Sequence, residues 1–166
     1  MEVQMLVEYF VKYGVLFLFI IIFLEHLNFP GIPAAVVMPT IGAFVAETKG
    51  SLFFVIVISV VAAIFGSIVL YIIGYYLGKP ILEWLCRKSP KANQYIKKIF
   101  SYSDKYGNKT IFICRLLPVV RTLISLVSGA LRLDFTAFTI YSALGISIWN
   151  TTLISFGYFS ARTILH

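Results

Sequence analysis

The stretch Phe112-Ile113-Cys114-Arg115-Leu116-Leu117-Pro118-Val119-Val120-Arg121 places two arginines in a hydrophobic segment that a proline interrupts. A guanidinium stays protonated in proteins, so near a bilayer it needs an anion, water or backbone carbonyls around it. Proline removes an amide donor and breaks a helix, and at membrane depth only protein or a water-filled cavity satisfies the exposed backbone. The stretch therefore predicts a broken membrane segment with a site for a negatively charged ligand.

The composition of the whole chain is typical of an integral membrane protein. Of its 166 residues 60% are hydrophobic and 13% are charged, whereas a soluble domain carries about 25% charged residues. Residues 51–78 and 135–161 contain no charge, and each run exceeds the roughly 20 residues that cross a hydrocarbon core. The net charge of +7 comes mainly from residues 79–109. It therefore indicates membrane topology and not nucleic-acid binding.

The pattern of apolar runs predicts an all-α membrane protein with a single domain over residues 1–166. Uninterrupted apolar segments are predicted to be three transmembrane helices: 9–27, 51–78 and 135–161. Segments 28–46 and 110–131 are rich in proline or carry the arginine pair, and we predict that each is a re-entrant hairpin. Segment 79–109 is basic and amphipathic, with apolar residues at helical spacing. We expect it to be a helix on the cytoplasmic surface.

The distribution of lysine and arginine predicts the orientation of these segments. If residues 79–109 face the cytoplasm, the first helix begins there and the N-terminus is cytoplasmic. The re-entrant segments 28–46 and 110–131 then enter the membrane from opposite faces. This arrangement is a pseudo-inverted repeat, which in transporters places the binding site near the middle of the bilayer.

The candidate site residues are few, and each also has an interpretation without a functional role. Arg115 and Arg121 offer planar forks suited to phosphate, or they are ordinary positive residues beside the membrane. Glu25, at the end of the first apolar segment, is a candidate proton carrier and arginine partner, or an interfacial acid that faces water. His26 has no necessary role. Asp134 and Arg132 are predicted to pair at an interface.

Other residues are assigned to architecture or packing. The proline and glycine positions of the interrupted segments are predicted to shape the backbone, in part by exposing amides toward an anion: Pro30, Gly31, Pro33, Pro39, Gly42, Pro118 and Gly129. Trp149 and the tyrosines are predicted to serve packing or to anchor the protein at the membrane interface. The chain lacks the common hydrolase, phosphate-loop and metal-ligand motifs, so we predict no enzyme activity, no metal and no cofactor.

Three blocks of this sequence resemble the DedA family, also described as SNARE-associated or VTT-domain membrane proteins. The first block runs through residues 23–25, 29–33 and 38–42. The second covers residues 66–78 and carries regularly spaced glycines. The third is residues 112–129, with Arg115-x-x-Pro118-x-x-Arg121, followed by Gly145, Trp149, Gly157 and Tyr158. Together they cover nearly the whole chain.

The resemblance implies a transporter-like fold with two facing re-entrant hairpins. It also implies lipid translocation, because family members are linked to undecaprenyl phosphate recycling or to phosphatidylethanolamine. Glu25, Arg115 and Arg121 match acidic and basic residues on which family members depend. Many members carry a second acid where this chain has Ala34-Ala35-Val36. A scheme in which two carboxylates couple proton movement to transport therefore does not carry over directly to this chain.

The sequence thus favours a flippase-like transporter of a phosphate-headed lipid. Undecaprenyl phosphate is preferred to phosphatidylethanolamine as the substrate, with Arg115, Arg121 and Glu25 as binding residues and Glu25 as the proton carrier. A small-ion or proton antiporter, a non-transporting assembly protein and a membrane phosphatase are the alternatives. The glycine pattern of residues 66–78 permits a homodimer through close helix contact.

Overall fold

The computed structural model describes residues 2–27, 34–48, 50–88, 90–117 and 120–164. Within these residues the chain forms seven helices and no strand, which confirms the all-α class. In chain order they are α1 (Glu2–His26), α2 (Ala34–Glu47), α3 (Leu52–Lys88), α4 (Pro90–Tyr106), α5 (Lys109–Arg115), α6 (Val120–Ala130) and α7 (Phe135–Ile164).

Two helices among the described residues are long and apolar enough to cross a membrane. They are Leu52–Gly78 within α3 and Phe135–Thr163 within α7. Both present large apolar side chains outward: Phe53 is 77% exposed and Phe156 is 66% exposed. Such a surface is suited to lipid and not to water. The predicted span 9–27 coincides with α1 up to His26, and a third crossing of the membrane remains a prediction.

Helix α3 extends beyond the predicted end of its span at residue 78. Helical hydrogen bonding continues to Lys88, but Gly78 has φ 57° and ψ −143°. Only glycine adopts this left-handed conformation without a steric cost, and here it is followed closely by Pro80. The apolar span therefore ends in a kink at Gly78, and a further helical stretch follows it.

The predicted interruption of residues 28–46 is wrong for its second half. Helix α2 runs unbroken from Ala34 to Glu47 with Pro39 inside it. A proline inside a helix removes one amide hydrogen bond, and the Pro39 carbonyl group packs against Gly157 of α7. Pro30, Gly31, Pro33 and Pro118 lie outside the described residues, so both re-entrant turns remain predictions.

Packing divides the chain into two compact units. The first unit comprises Met1–Ala63 and Asn150–His166, and the second comprises Ile64–Trp149. Each unit contains part of α3 and part of α7: the boundary falls after Ala63 in the first part of α3 and after Trp149 at the middle of α7. The first unit adds α1 and α2, whereas the second adds α4, α5 and α6.

In the first unit, α2 and α7 touch through reciprocal glycines. A Cβ atom built on Gly42 would overlap the carbonyl oxygen of Ile154, and one built on Gly157 would overlap the carbonyl oxygen of Pro39. Gly42 thus meets Ile154, which is three residues before Gly157, and Gly157 meets Pro39, which is three residues before Gly42. Contacts of this kind let two backbones approach as closely as helices can. The predicted architectural role of Gly42 has this physical basis.

The second unit repeats the arrangement with α3 and α6. A Cβ atom on Gly74 would overlap the carbonyl oxygen of Leu126, and one on Gly129 would overlap that of Tyr71. The offset of three residues is the same as in the first unit. The same pattern of helix crossing is thus present in each unit.

Helix α4 buries its apolar face in protein. Ile96 is 3% exposed and Ile99 is 1% exposed, and both belong to the hydrophobic core of the second unit together with Ile111. The Thr110 hydroxyl donates to the carbonyl oxygen of Tyr102 at 2.6 Å, which ties α5 to α4. The amphipathic pattern of α4 is therefore explained by packing within the protein, where the sequence pointed to a membrane surface.

The predicted pair of Arg132 and Asp134 is replaced by two separate contacts. Asp134 accepts a hydrogen bond from the Ala137 amide at 2.6 Å, as an N-cap residue does at the start of α7. The Arg132 guanidinium lies over the Tyr75 ring, 5.2 Å from its centroid. Asp134 therefore stabilises a helix end, because its short side chain reaches the free amides of the first turn.

Candidate functional site

The two arginines that the sequence singles out lie together in the second unit. Arg115 ends α5, and Arg121 lies in the first turn of α6. The Arg115 Nη1 atom donates to the carbonyl oxygen of Arg121 at 3.1 Å. Arg115 is 3% exposed and Arg121 is 6% exposed. Both guanidinium groups are therefore inside the protein and do not extend from its surface.

The Arg115 guanidinium is held by two buried serines. Its Nη2 atom donates to the Ser125 hydroxyl at 2.8 Å and to the Ser142 hydroxyl at 3.0 Å, and Nε lies 3.3 Å from the same Ser142 oxygen. Each serine is 1% exposed. These contacts fix the orientation of the Arg115 guanidinium inside the protein.

Gly145 makes room for this arginine. A Cβ atom at position 145 would lie 2.5 Å from the Cβ atom of Arg115 and 3.1 Å from its Cγ atom. On another side the Arg115 guanidinium faces the Phe138 ring, with its Cζ atom 5.8 Å from the centroid. Sequence analysis placed Gly145 only in the family pattern, because nothing local shows which side chain needs its space.

Arg121 stacks on Trp149 of α7. The Arg121 Cζ atom lies 5.3 Å from the centre of the Trp149 ring, within the range of a cation–π interaction. Tryptophan is the aromatic residue that favours this interaction most. Sequence analysis assigned Trp149 to packing or to an interface, and the structure adds a contact with a candidate site residue.

The site follows one face of each of two helices. Arg121 and Ser125 are four residues apart on α6. Ser142, Gly145 and Trp149 recur at i, i+3 and i+7 on α7. These steps place each set on one side of its helix. The same periodicity in the sequence is the signal that leads from the arginines to the serines and to Trp149.

The first unit holds a buried acid beside a histidine. Glu25 and His26 are each 4% exposed. The His26 Nδ1 atom lies 2.7 Å from a Glu25 carboxylate oxygen and 3.2 Å from the carbonyl oxygen of Ile22. A carboxylate in contact with an imidazole can hold and pass a proton. Sequence analysis gave His26 no necessary role, because adjacency in the chain does not show that two side chains touch.

A second polar contact in the first unit joins α3 to α7. Asn150 and Ser59 are both fully buried. The Asn150 amide donates to the Ser59 hydroxyl at 3.2 Å, and that hydroxyl donates to the carbonyl oxygen of Ile56 at 2.7 Å. Hydrogen bonds of this type hold membrane helices together.

The described residues contain no cluster of three or more His, Cys, Asp or Glu residues that could hold a metal.

These features define an α-helical protein with apolar outward-facing helices and two buried arginines. The profile of the VTT domain matches residues 29–159, which include every helix from α2 to α6 and most of α7. The chain therefore belongs to the VTT-domain, or DedA, family of membrane proteins, as the resemblance predicts.

Curated relatives carry several names. Undecaprenyl phosphate transporter A of Staphylococcus aureus is 29% identical over 93% of this chain and 77% of its own length. Protein DedA of Escherichia coli is 30% identical over 93% of this chain and 73% of its own length. A protein of Lactococcus lactis named alkaline phosphatase-like is 31% identical over 87% of this chain and 68% of its own length. No solved structure matches the chain.

Proposed function

We propose that this protein is a flippase-like transporter that moves a phosphate-headed lipid across the cytoplasmic membrane. The observation that carries the proposal is the burial of Arg115 and Arg121 side by side inside the protein. Undecaprenyl phosphate is the preferred substrate and phosphatidylethanolamine the second. The name of the Staphylococcus aureus relative supports this order.

The physical task of such a protein is to shelter a charged head group while the tail stays in lipid. A bare phosphate in hydrocarbon is prohibitively costly, as for any buried ion. Guanidinium groups lower this cost by donating paired hydrogen bonds to phosphate oxygens. In the proposed cycle, the arginine site binds the head group, and the halves of the inverted repeat expose it to one side and then the other.

The proposed topology follows the distribution of positive charge. The N-terminus and the basic helix α4 face the cytoplasm, and three helices cross the membrane. Residues 28–46 and 110–131 form the proposed re-entrant hairpins. Transport leaves the lipid chemically unchanged, so the proposed protein is not an enzyme.

Arg121→Ala is expected to reduce lipid translocation to the background of empty vesicles. The phosphate loses the paired N–H donors of the Arg121 guanidinium, and water cannot replace them inside the membrane protein. The measurement uses purified protein in liposomes and labelled undecaprenyl phosphate, with labelled phosphatidylethanolamine in parallel. Arg162→Ala is the matched control, since Arg162 is an exposed arginine near the end of α7. Its translocation rate is expected to equal that of the unaltered protein.

The same vesicles separate the alternatives. Unaltered translocation in Arg121→Ala would discard the phosphate site. Ion flux that is indifferent to added lipid would favour an antiporter. Release of inorganic phosphate from the lipid would favour a phosphatase.

Glu25→Gln is expected to abolish the response of transport to an imposed pH gradient. In the proposal Glu25 binds and releases a proton during the cycle, with His26 beside it at 2.7 Å. The amide has nearly the same shape as the carboxyl group but cannot carry the proton. The measurement is the translocation rate with and without a pH gradient. Glu83→Gln is the control, because Glu83 is exposed, and a gradient response that survives in Glu25→Gln would contradict the coupling role.

A further inference from the structure

The indole nitrogen of Trp149 is a donor that the described protein does not use. Its Nε1 atom is shielded from solvent and has no hydrogen-bond partner among the residues that the structure describes. An indole N–H can only donate, and a buried donor without an acceptor destabilises a protein. The ring that carries it stacks against the Arg121 guanidinium at 5.3 Å. The unused donor is therefore located beside a candidate phosphate ligand.

Most N–H groups of Arg115 already donate hydrogen bonds within the protein. Arg115 gives hydrogen bonds from Nε and Nη2 to serines and from Nη1 to the carbonyl oxygen of Arg121. A guanidinium has five N–H groups in all. A phosphate that docks at Arg121 therefore needs a further donor from another residue, and Trp149 is adjacent.

We infer that the Trp149 Nε1–H is a ligand of the substrate phosphate and makes the site selective for a phosphate monoester over a diester. The inference rests on the proposed function. A monoester has three terminal oxygens, whereas a diester has two. The Arg121 fork pairs with two terminal oxygens, and the indole donates to the third. In a diester the third position is an ester oxygen that carries carbon and accepts hydrogen bonds poorly.

Fluorescence reports on this contact directly. The chain has two tryptophans, so Trp84→Phe leaves Trp149 as the single tryptophan, whose emission is excited selectively over that of tyrosine, and Trp84 is itself half exposed. The protein in nanodiscs is titrated with dodecyl phosphate and, in parallel, with its methyl ester. We expect a saturable change in Trp149 emission, with an apparent Kd about tenfold lower for the monoester, as loss of one charge-assisted hydrogen bond implies. Equal Kd values, or no change in emission, would overturn the inference.

Transport kinetics supply the second test. Trp149→Phe keeps an aromatic face for Arg121 and removes the N–H group. We expect its KM for undecaprenyl phosphate to rise about tenfold, while competition by the methyl ester is unchanged. Ser128→Ala is the matched control. Its hydroxyl is also buried without a partner among the described residues, but it lies about 10 Å along α6 from Arg121. Its KM and its monoester preference should therefore equal those of the unaltered protein.

The outcomes separate this inference from the proposed function. If Arg121→Ala abolishes transport while Trp149→Phe retains the full monoester preference, the indole is not a ligand and the transporter proposal stands. If no lipid moves in any variant but dodecyl phosphate still changes Trp149 emission with monoester preference, the anion site stands and the transport proposal fails.

Discussion

Gly129→Ala is expected to leave almost no correctly folded protein. The added Cβ atom would overlap the carbonyl oxygen of Tyr71 and approach the Tyr75 amide nitrogen at 2.8 Å. Both are backbone atoms of α3, so no side-chain rotation relieves the overlap, and the two helices must separate. Overpacking of a core costs about 1–3 kcal/mol even where side chains can adjust. The cost here should exceed that range, because a whole helix crossing has to move.

The measurement is the amount of monodisperse protein after extraction and its thermal unfolding in detergent. Gly50→Ala is the control, because the nearest atom to a new Cβ atom there is a side-chain oxygen at 3.5 Å, an ordinary contact. Gly42→Ala is expected to match Gly129→Ala, since the first unit has the same arrangement of glycine and carbonyl. A melting temperature in Gly129→Ala equal to that of Gly50→Ala would show that the crossing is not tightly constrained.

Arg115→Ala is expected to abolish transport and to destabilise the protein by about 3 kcal/mol or more. The substitution leaves the Ser125 hydroxyl, the Ser142 hydroxyl and the Arg121 carbonyl oxygen without the donors that bind them. It also leaves a cavity among α5, α6 and α7. The start of α6, which carries Arg121, loses a hydrogen bond to α5. The loss of transport thus combines a missing charge with a displaced neighbour.

Arg115→Lys provides the test of this explanation. Lysine keeps the charge but has a single nitrogen, so it cannot reach both serines and the carbonyl oxygen with the geometry of a planar fork. We expect partial recovery of thermal stability and little recovery of translocation. Full transport in Arg115→Lys would show that the charge alone matters. Arg162→Ala serves again as the control, and both its melting temperature and its transport should be unaltered.

Much of the fold follows from local patterns in the sequence. Uncharged runs longer than a bilayer is thick predict α3 and α7, and the start of α4 at Pro90 follows from the fixed backbone angle of proline. Gly107 has φ 56°, the left-handed conformation typical of a glycine just after a helix. The arginine pair also stands out in the sequence, because a permanent charge among apolar residues demands a partner.

The remaining features depend on residues that are distant in the chain. The apolar face of α4 predicts burial, but whether lipid or protein covers it depends on Ile111 and other residues of the second unit. Pro39 lies inside α2, and its carbonyl group packs against Gly157, more than a hundred residues away. Trp149 becomes a site residue only once α6 and α7 lie together. Periodicity gives the face of a helix and does not give the partner of that face.

The position of the Arg115 side chain depends on Gly145, a residue with no reactive group. Its single hydrogen atom neither reacts, titrates nor donates to a ligand, yet a methyl group in its place would meet the Cβ atom of Arg115 at 2.5 Å. A survey that looks for function only among reactive side chains would pass over this position. The guanidinium can reside among apolar helices because one carbon atom is missing from a neighbouring helix.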